Sequence, residues 1–535
     1  MGAQLPKMAS KMLWPALFAA TALKYAYYGY TYLPMVDDNN MYGTFRLARD
    51  IFRDVILHYR MYTTRPLAAL LDPYIWSRFW DNLALALIIM TALHFLSCYL
   101  IFRVFEKIGL EAGFFAAAIY LLLPFGSEAT YWLSASSRIV AGFFLVAFSL
   151  YLLSVYFENE GSPRHQPLLL TFFAVIHLLS LGFYEQVIAM SFIMTALIFL
   201  LRWKTVRSKW IIIIPLFNYM VIALWYKFFS DQGNMVARGR LVSGNCLAHT
   251  KTVIKSVYHV WRTCLKDFFT AGIPRGLEII KSDGAHLFIL AMLAICLAVF
   301  AASLFEKPQN RIRHTVLKTA VGLVLFATPY LPFLAVDLVW ICNRNIFLSF
   351  IGLGLITEAF LDLLARGRIM AALRGVAIGA AFFVLLSANV YELYYYRSIG
   401  AIDRKITSEI AQIPGVNDNR NMFLFNAEPN YMEPSGGRIG NCTGSDWALS
   451  GALHAQQTAA VKLRYACPVP PEAYTPVSKK LLEGAILLGI DASQKVFELD
   501  VPREQAGAVY LFRTDGTFFG RLEFPKEDYI LFHTE

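Results

Sequence analysis

The chain has 535 residues, 57% hydrophobic and 15% aromatic but only 16% charged, where soluble domains carry about a quarter charged residues. A mean hydropathy of +0.49 and repeated apolar runs of about 18 or more residues put most of the chain in lipid, which excludes a soluble enzyme, a disordered tail protein and a fibre. The net charge of +10 does not point to nucleic acid: residues 397–535 hold 14 Lys/Arg against 17 Asp/Glu, so the excess sits in the apolar part, where such residues set topology and meet anionic lipid or phosphate.

In chain order, about eleven apolar runs read as membrane helices: residues 13–33, 83–104, 109–125, 139–157, 168–184, 186–202, 210–229, 286–305, 317–335, 339–362 and 372–395. The first contains Lys24 and several tyrosines and ends at Pro34 without a small-residue cleavage site, so it is retained as a membrane helix and not a signal peptide. With a cytoplasmic N-terminus, each inside segment is basic: Lys7 and Lys11, Arg103 and Lys107, Arg164, Arg202 to Lys209, Lys307 to Lys318, and Arg366 to Arg374. The short outside turns around 126–138, 184–185 and 337–344 hold few such residues, so the assignment is self-consistent over the short connections.

Three pieces fall outside on the far side: loops of residues 34–80 and 230–285, and the tail from 397. In the first loop, Phe45, Ala48, Ile51, Phe52, Val55, Ile56 and Tyr59 share one helical face, which predicts an interfacial helix over 45–60. In the tail, the stretches MFLFNA, KVFELDV, AVYLFR and DYILF predict strands beside a helix near 401–412. The expected fold is an α-helical polytopic membrane protein over 1–396 with a small C-terminal extracytoplasmic α/β domain over 397–535. Cys442 with Cys467, and Cys246 with Cys264, lie in external segments that permit disulfides. Asn441-Cys442-Thr443 fits a glycosylation acceptor pattern. No CxxC or HExxH spacing supports zinc, and no phosphate loop or dinucleotide fingerprint is present.

The chemistry-bearing residues gather on the outer side. Asp37 and Asp38 follow the first run. One such residue suffices to cap a helix, and a carboxylate at the interface also suits a general base. Adjacent residues cannot both point one way, so one acid, Asp37 by preference, faces the reaction centre while the other caps or orients. Arg65, Arg138, Lys227 and Arg344 face the same side, against the topogenic bias. Snorkelling to headgroups accounts for Lys227, whereas the arginine fork suits bidentate phosphate recognition. Glu185 ends a span at a depth where ionisable groups are paired or functional, with an ion pair to an outer arginine as the alternative. Tyr184 and Trp132 stand beside these residues as substrate-facing aromatics, or as ordinary interface residues. His94 and His177, inside apolar runs, read as packing or hydrogen-bonding groups.

The acidic pair after the first span, the long first outer loop, the many further spans and the external tail resemble the GT-C superfamily of integral-membrane glycosyltransferases. Asp37-Asp38, Thr64-Arg65-Pro66, Tyr184-Glu185 and Arg344 look like those of bacterial members that use polyprenyl-phosphate sugars, with serotype-converting O-antigen glucosyltransferases nearest in style. The resemblance covers residues 1–396. It implies a polyprenyl-phosphate sugar donor, a glycan, lipid or protein acceptor of the cell envelope, and a bacterial inner-membrane location. Asp37 or Asp38 would be the base, with Arg65, Arg138, Arg344 and Lys227 at the donor phosphate and Glu185, Tyr184 and Trp132 at the substrate. No DxD-type spacing in the first loop supports a divalent metal, so metal use stays open. The competing reading is a transporter or flippase of a lipid-linked saccharide, against which no internal repeat is seen.

Overall fold

In lipid a chain satisfies its backbone only as helix or closed barrel, and the computed structural model is mostly helical. The structure describes residues 4–534 apart from 111, 159–165, 230–241, 243, 304–311, 365–367, 414–415, 417–419, 429–430, 432–439, 457–464, 502–503, 506–507 and 527. Arg164, Lys307, Arg311 and Arg366 of the topology argument lie outside the described residues. In chain order the main helices are α1 (Gln4–Ala26), α2 (Pro66–Tyr74), α3 (Leu83–Lys107), α4 (Phe114–Leu122), α5 (Leu133–Glu158), α6 (Gln166–Ser180), α7 (Glu185–Arg202) and α8 (Ile213–Phe229). They continue as α9 (Cys246–Asp267), α10 (Ile273–Ser282), α11 (His286–Ser303), α12 (Ile312–Ala327), α13 (Ser349–Leu364), α14 (Arg368–Ala411) and α15 (Asp446–Gln456). Among the described residues six helical stretches are long and apolar enough to cross a membrane: Pro66–Lys107, Leu133–Glu158, Glu185–Arg202, Lys209–Phe229, Ile312–Ala335 and Ala372–Ala411. Phe114–Thr130, Gln166–Ser180 and His286–Ala301 are shorter apolar helices, so the expected count of eleven is not reached by length.

The chain divides into two compact units. The first comprises Met1–Thr31, Ile56–Leu71 and Ala84–Leu393, the second Tyr32–Val55, Asp72–Leu83 and Tyr394–Glu535. Parts of the segment 34–80 therefore fold with the tail.

Within the helical unit, α12 and α13 pack through Gly322 and Gly352, where an added Cβ on Gly352 would lie 2.2 Å from the Phe326 nitrogen. One end of this pair carries a buried ionic lock. Lys318 Nζ reaches Glu358 Oε1 and Asp362 Oδ2, both at 2.8 Å, and Arg374 pairs with Asp362 at 3.4 Å. Glu358 also accepts from the backbone N–H groups of Gly113 and Ala116 at the start of α4, which satisfies donors a helix N-terminus leaves open. A second network joins α6, α7 and α8: His177 bonds Ser191 at 3.0 Å, Tyr219 at 3.1 Å and Asn218 at 3.0 Å. His94 packs against Tyr120 and Phe347. His177 thus serves hydrogen bonding, and His94 serves packing alone, neither of its ring nitrogens being bonded among the described residues.

The second unit is built on a mixed sheet, with β1 (Asn421–Phe425), β2 (Tyr465–Val469), β3 (Tyr474–Thr475), β4 (Ile486–Ile490), β5 (Val496–Asp500), β6 (Glu504–Gln505), β7 (Ala508–Arg513), β8 (Phe518–Lys526) and β9 (Tyr529–Thr534). The order is β2-β1-β4-β5-β7-β8-β9-β3, with β6 against β7. β1 is parallel to β2 and to β4, and α15 supplies the crossover that a parallel β1–β2 pair requires. Side chains alternate across β1: Met422 and Leu424 join Ile406 and Ile410 of α14 and Leu449 and Leu453 of α15, while Phe423 and Phe425 join Leu511, Leu522 and Phe532 on the other face. The strand-and-helix tail is as expected.

Several local expectations are revised. Residues 45–60 are not one helix. Asp50 Oδ1 accepts from the Arg53 amide at 3.1 Å, and the Asp50 amide donates to Asp54 Oδ2 at 3.2 Å, so side chains take over the backbone bonds there and a separate helix runs over Ile51–Leu57. Cys442 and Cys467 are both free, and they lie in the cores on opposite faces of the sheet, which no disulfide can span. Cys246 and Cys264 are not joined in a disulfide either; 18 residues along one helix separate them by about 27 Å. Asn441 is buried, and its Oδ1 accepts from the Tyr431 amide at 2.9 Å, so the acceptor motif offers no exposed asparagine.

Candidate functional site

Arg65 stands immediately before α2, with Pro66 at the first helical position, where its missing N–H costs nothing. The Leu67 and Ala68 amides donate to the Gly182 carbonyl at 2.9 and 3.2 Å. That approach needs a glycine: a Cβ on Gly182 would lie 2.8 Å from Leu67 Cβ. From the other side, α8 fixes the preceding turn, Tyr226 donating to the Thr64 carbonyl at 2.8 Å and Trp225 to that of Tyr62 at 3.0 Å. Arg65 is thereby presented to the start of α7. Its Nε and Nη2 donate to Glu185 Oε1 at 3.2 Å and Oε2 at 3.1 Å, and its guanidinium lies 4.2 Å from the Tyr184 ring centroid. Burial opposes the charge on Arg65, but Glu185 and Tyr184 outweigh it and hold the guanidinium above its ordinary value.

Arg344 sits in the 3-10 turn Asn343–Ile346, which the Cys342 amide closes by donating to Asn345 Oδ1 at 2.9 Å. Its guanidinium lies between two indoles, 5.2 Å from Trp132 and 5.3 Å from Trp340, and pairs with the buried Glu128 at 3.5 Å. Gln186 joins the two halves, its Nε2 donating to the carbonyls of Pro329 at 2.9 Å and Asn345 at 2.8 Å. Arg65, Tyr184, Glu185, Gln186, Trp340, Arg344 and Asn345 then line one cavity of about 90 Å³, together with the apolar Pro332, Phe333, Val336 and Leu338. Two oriented cations face a small space with an apolar wall, an arrangement that can hold an anion and exclude much of its water.

Of the residues singled out from the sequence, Arg65, Tyr184, Glu185 and Arg344 are brought together. Arg138 is buried in α5, and Lys227 is exposed in the last turn of α8; neither lines the cavity. Trp132 is only 4% exposed and is the platform of Arg344, not a substrate-facing ring. Glu185 is the carboxylate partner of Arg65, so its paired reading is realised. Gln186, Asn345 and Trp340 were missed, because the contacts that matter join residues about 150 positions apart.

Asp37 and Asp38 belong to the second unit. Asp38 is fully buried; its Oδ2 accepts from the Tyr32 hydroxyl and from the Met35 amide, the latter at 3.2 Å. It occupies the N-cap position of the turn Asn39–Gly43 without making a side-chain cap bond, so it fixes its own loop instead of capping a helix. Asp37 is half-buried and makes no side-chain hydrogen bond or ion pair among the described residues. Two positions on, Asn39 is buried with neither amide atom bonded, an uncompensated polar group of the kind found where a ligand or water belongs. The loop is seated on α15 through two glycines: a Cβ on Gly451 would lie 2.9 Å from Asn40 Cβ, and one on Gly43 would lie 2.3 Å from Ala455 Cβ.

Among the described residues no three His, Cys, Asp or Glu side chains gather as a metal site. No family model, no curated protein and no solved structure matches the chain.

Proposed function

We propose that the chain is an inverting glycosyltransferase that moves a sugar from a polyprenyl-phosphate donor to a glycan, lipid or protein acceptor on the outer face of a bacterial inner membrane. The observation that supports it most is the cavity lined by Arg65 and Arg344, two guanidiniums each braced on an aromatic ring and facing one small space. Arg65 gives Nε and Nη2 to Glu185 and keeps Nη1 for an incoming oxygen. Arg344 pairs with Glu128 at 3.5 Å, and an incoming phosphate oxygen competes with that carboxylate for the guanidinium. Preoriented cations of this kind stabilise charge as it develops on a leaving phosphate. Asp37, with its carboxylate uncommitted, takes the proton of the acceptor hydroxyl. That oxygen then attacks the anomeric carbon as the bond to the phosphate breaks, in one displacement with inversion. The accompanying topology has eleven crossings, a cytoplasmic N-terminus and the tail outside.

Purified protein supplied with a radiolabelled polyprenyl-phosphate hexose should transfer the label to an acceptor or slowly to water. Label that only changes leaflet in proteoliposomes, with the phosphoester intact, would replace this reading by the flippase.

A further inference from the structure

The helices α9 and α10 hold six Lys/Arg against two acids, on the outer side in the proposed topology, where the topogenic rule disfavours such an excess. Helical spacing sorts α9 into three strips. Val253, Val260 and Cys264 are buried against the unit, and Trp261 donates to the Tyr330 hydroxyl at 2.7 Å. A second strip, Leu247, Ile254, Tyr258 and Leu265, is apolar yet exposed, with Ile254 and Tyr258 each 63% accessible. Beside it, Lys255, His259 and Arg262 recur at i, i+4 and i+7, the spacing of one helical face.

Those three side chains line a cleft of about 390 Å³ with Tyr258, Trp340 and the segment around it, and no acid is among its lining residues. Among the described residues none of the three has a hydrogen-bonding or ionic partner, in contrast to Arg65 and Arg344, each of which has a resident carboxylate. Trp340 also lines the cavity of the two arginines, so the two spaces share a wall. Lys255 and Arg262 are exposed and without a resident carboxylate among the described residues, which leaves them open to an anion, and the exposed apolar strip beside them suits hydrocarbon.

We propose that this cleft is a second lipid-phosphate site, whose occupant is a diphosphate diester carried on a long isoprenoid chain. Its two negative charges match the two fixed positive charges of Lys255 and Arg262, with His259 as a further donor, and its hydrocarbon lies along Ile254 and Tyr258. An ordinary anionic phospholipid brings a single charge and leaves one cation unmatched. Resting on the glycosyltransferase reading, the occupant is the lipid carrier of the acceptor, held one tryptophan away from the donor cavity.

The test is equilibrium binding to the full-length protein in detergent, followed by tryptophan fluorescence, and needs no turnover. Probes are geranylgeranyl diphosphate as its methyl diester, which keeps the two charges of the occupant, geranylgeranyl monophosphate, inorganic pyrophosphate and phosphatidylglycerol. The geranylgeranyl diphosphate should bind most tightly, and Lys255→Gln with Arg262→Gln should weaken it about a hundredfold at low salt, about tenfold for each positive charge removed. Lys255→Arg with Arg262→Lys should restore most of the affinity, which separates charge from folding. Unchanged binding in the glutamine variant overturns the site. Equal competition by phosphatidylglycerol would make the face a contact with bulk lipid, and equal competition by pyrophosphate would remove the hydrocarbon seat; either overturns the assignment. Because binding is read directly, a wild-type protein that binds the diphosphate but transfers no sugar refutes the enzyme reading and leaves the site standing.

Discussion

Asp37→Asn and Asp38→Asn should divide cleanly into a catalytic variant and a stability variant. Asp38 is fully buried, and the same oxygen, Oδ2, takes the bonds from the Tyr32 hydroxyl and the Met35 amide. An asparagine can still turn its carbonyl oxygen to that place, so what is lost is the charge on the acceptor. Charged hydrogen bonds contribute about 1.5–3 kcal/mol each against about 1 kcal/mol for neutral ones. Two bonds so weakened cost roughly 1–4 kcal/mol, a loss visible in the unfolding midpoint of the purified protein. Asp37 is half-buried and uncommitted, so its amide variant should stay within about 0.5 kcal/mol of wild type in stability. As the general base, however, it should lose about two to four orders of magnitude in single-turnover transfer, equivalent to about 3–5 kcal/mol of barrier. Donor binding should survive in both. If Asp37→Asn transfers sugar at the wild-type rate, the acidic pair is structural and the proposed chemistry loses its base.

Arg344→Lys keeps a charge but loses the planar fork between Trp132 and Trp340, so donor use measured as kcat/KM should fall at least about tenfold; an unchanged value would reassign Arg344 to holding Glu128. Gly182→Ala would place a Cβ 2.8 Å from Leu67 Cβ, an overpacking of about 1–3 kcal/mol, and by pushing α2 away should also reduce donor affinity; wild-type stability would show that the contact yields. Lys480→Cys, on an exposed position of the tail, should react with a membrane-impermeant maleimide in intact cells, and reaction only after lysis would reverse the topology. Lys318→Met would leave Glu358 and Asp362 buried with Arg374 as the remaining cation of the lock and should cost about 3–5 kcal/mol, measured as a lowered unfolding midpoint.

The membrane helices were legible because unbroken apolarity is a local property: the run read at 83–104 is α3, and that at 186–202 is α7. The tail strands were legible as short apolar stretches in a polar segment, as in Met422 to Phe425. What could not be read is which distant residues meet. The fork of Arg65 on Glu185 depends on Gly182 allowing Leu67 to approach, and the loop of Asp37 folds with the tail because Gly43 and Gly451 admit close packing on α15. A glycine announces freedom in the sequence without naming the neighbour that will use it. Of the apolar face read over 45–60, Phe45, Val55 and Ile56 are buried within the protein while Phe52 is exposed, and the side-chain bonds of Asp50 and Asp54 interrupt a continuous helix. The opposite happened in α9. Its pattern of Leu247, Ile254, Tyr258 and Leu265 beside Lys255 and Arg262 lies in plain view, yet it is too polar to register as a span and passes for loop.

The ionic lock bears on the choice between enzyme and flippase. Alternating access of the rocking kind requires one bundle of helices to move against another around a central site. Lys318, Glu358, Asp362 and Arg374 tie α12, α13 and α14 to one another, and Glu358 fastens them to the start of α4 through the Gly113 and Ala116 amides. Helices from the first and last thirds of the apolar region are thus held by charges with almost no exposure. Parting them leaves buried charges unpaired, at about 3–5 kcal/mol for each partner removed. A transporter must cross that barrier once per cycle, whereas an enzyme with a fixed cavity gains from it.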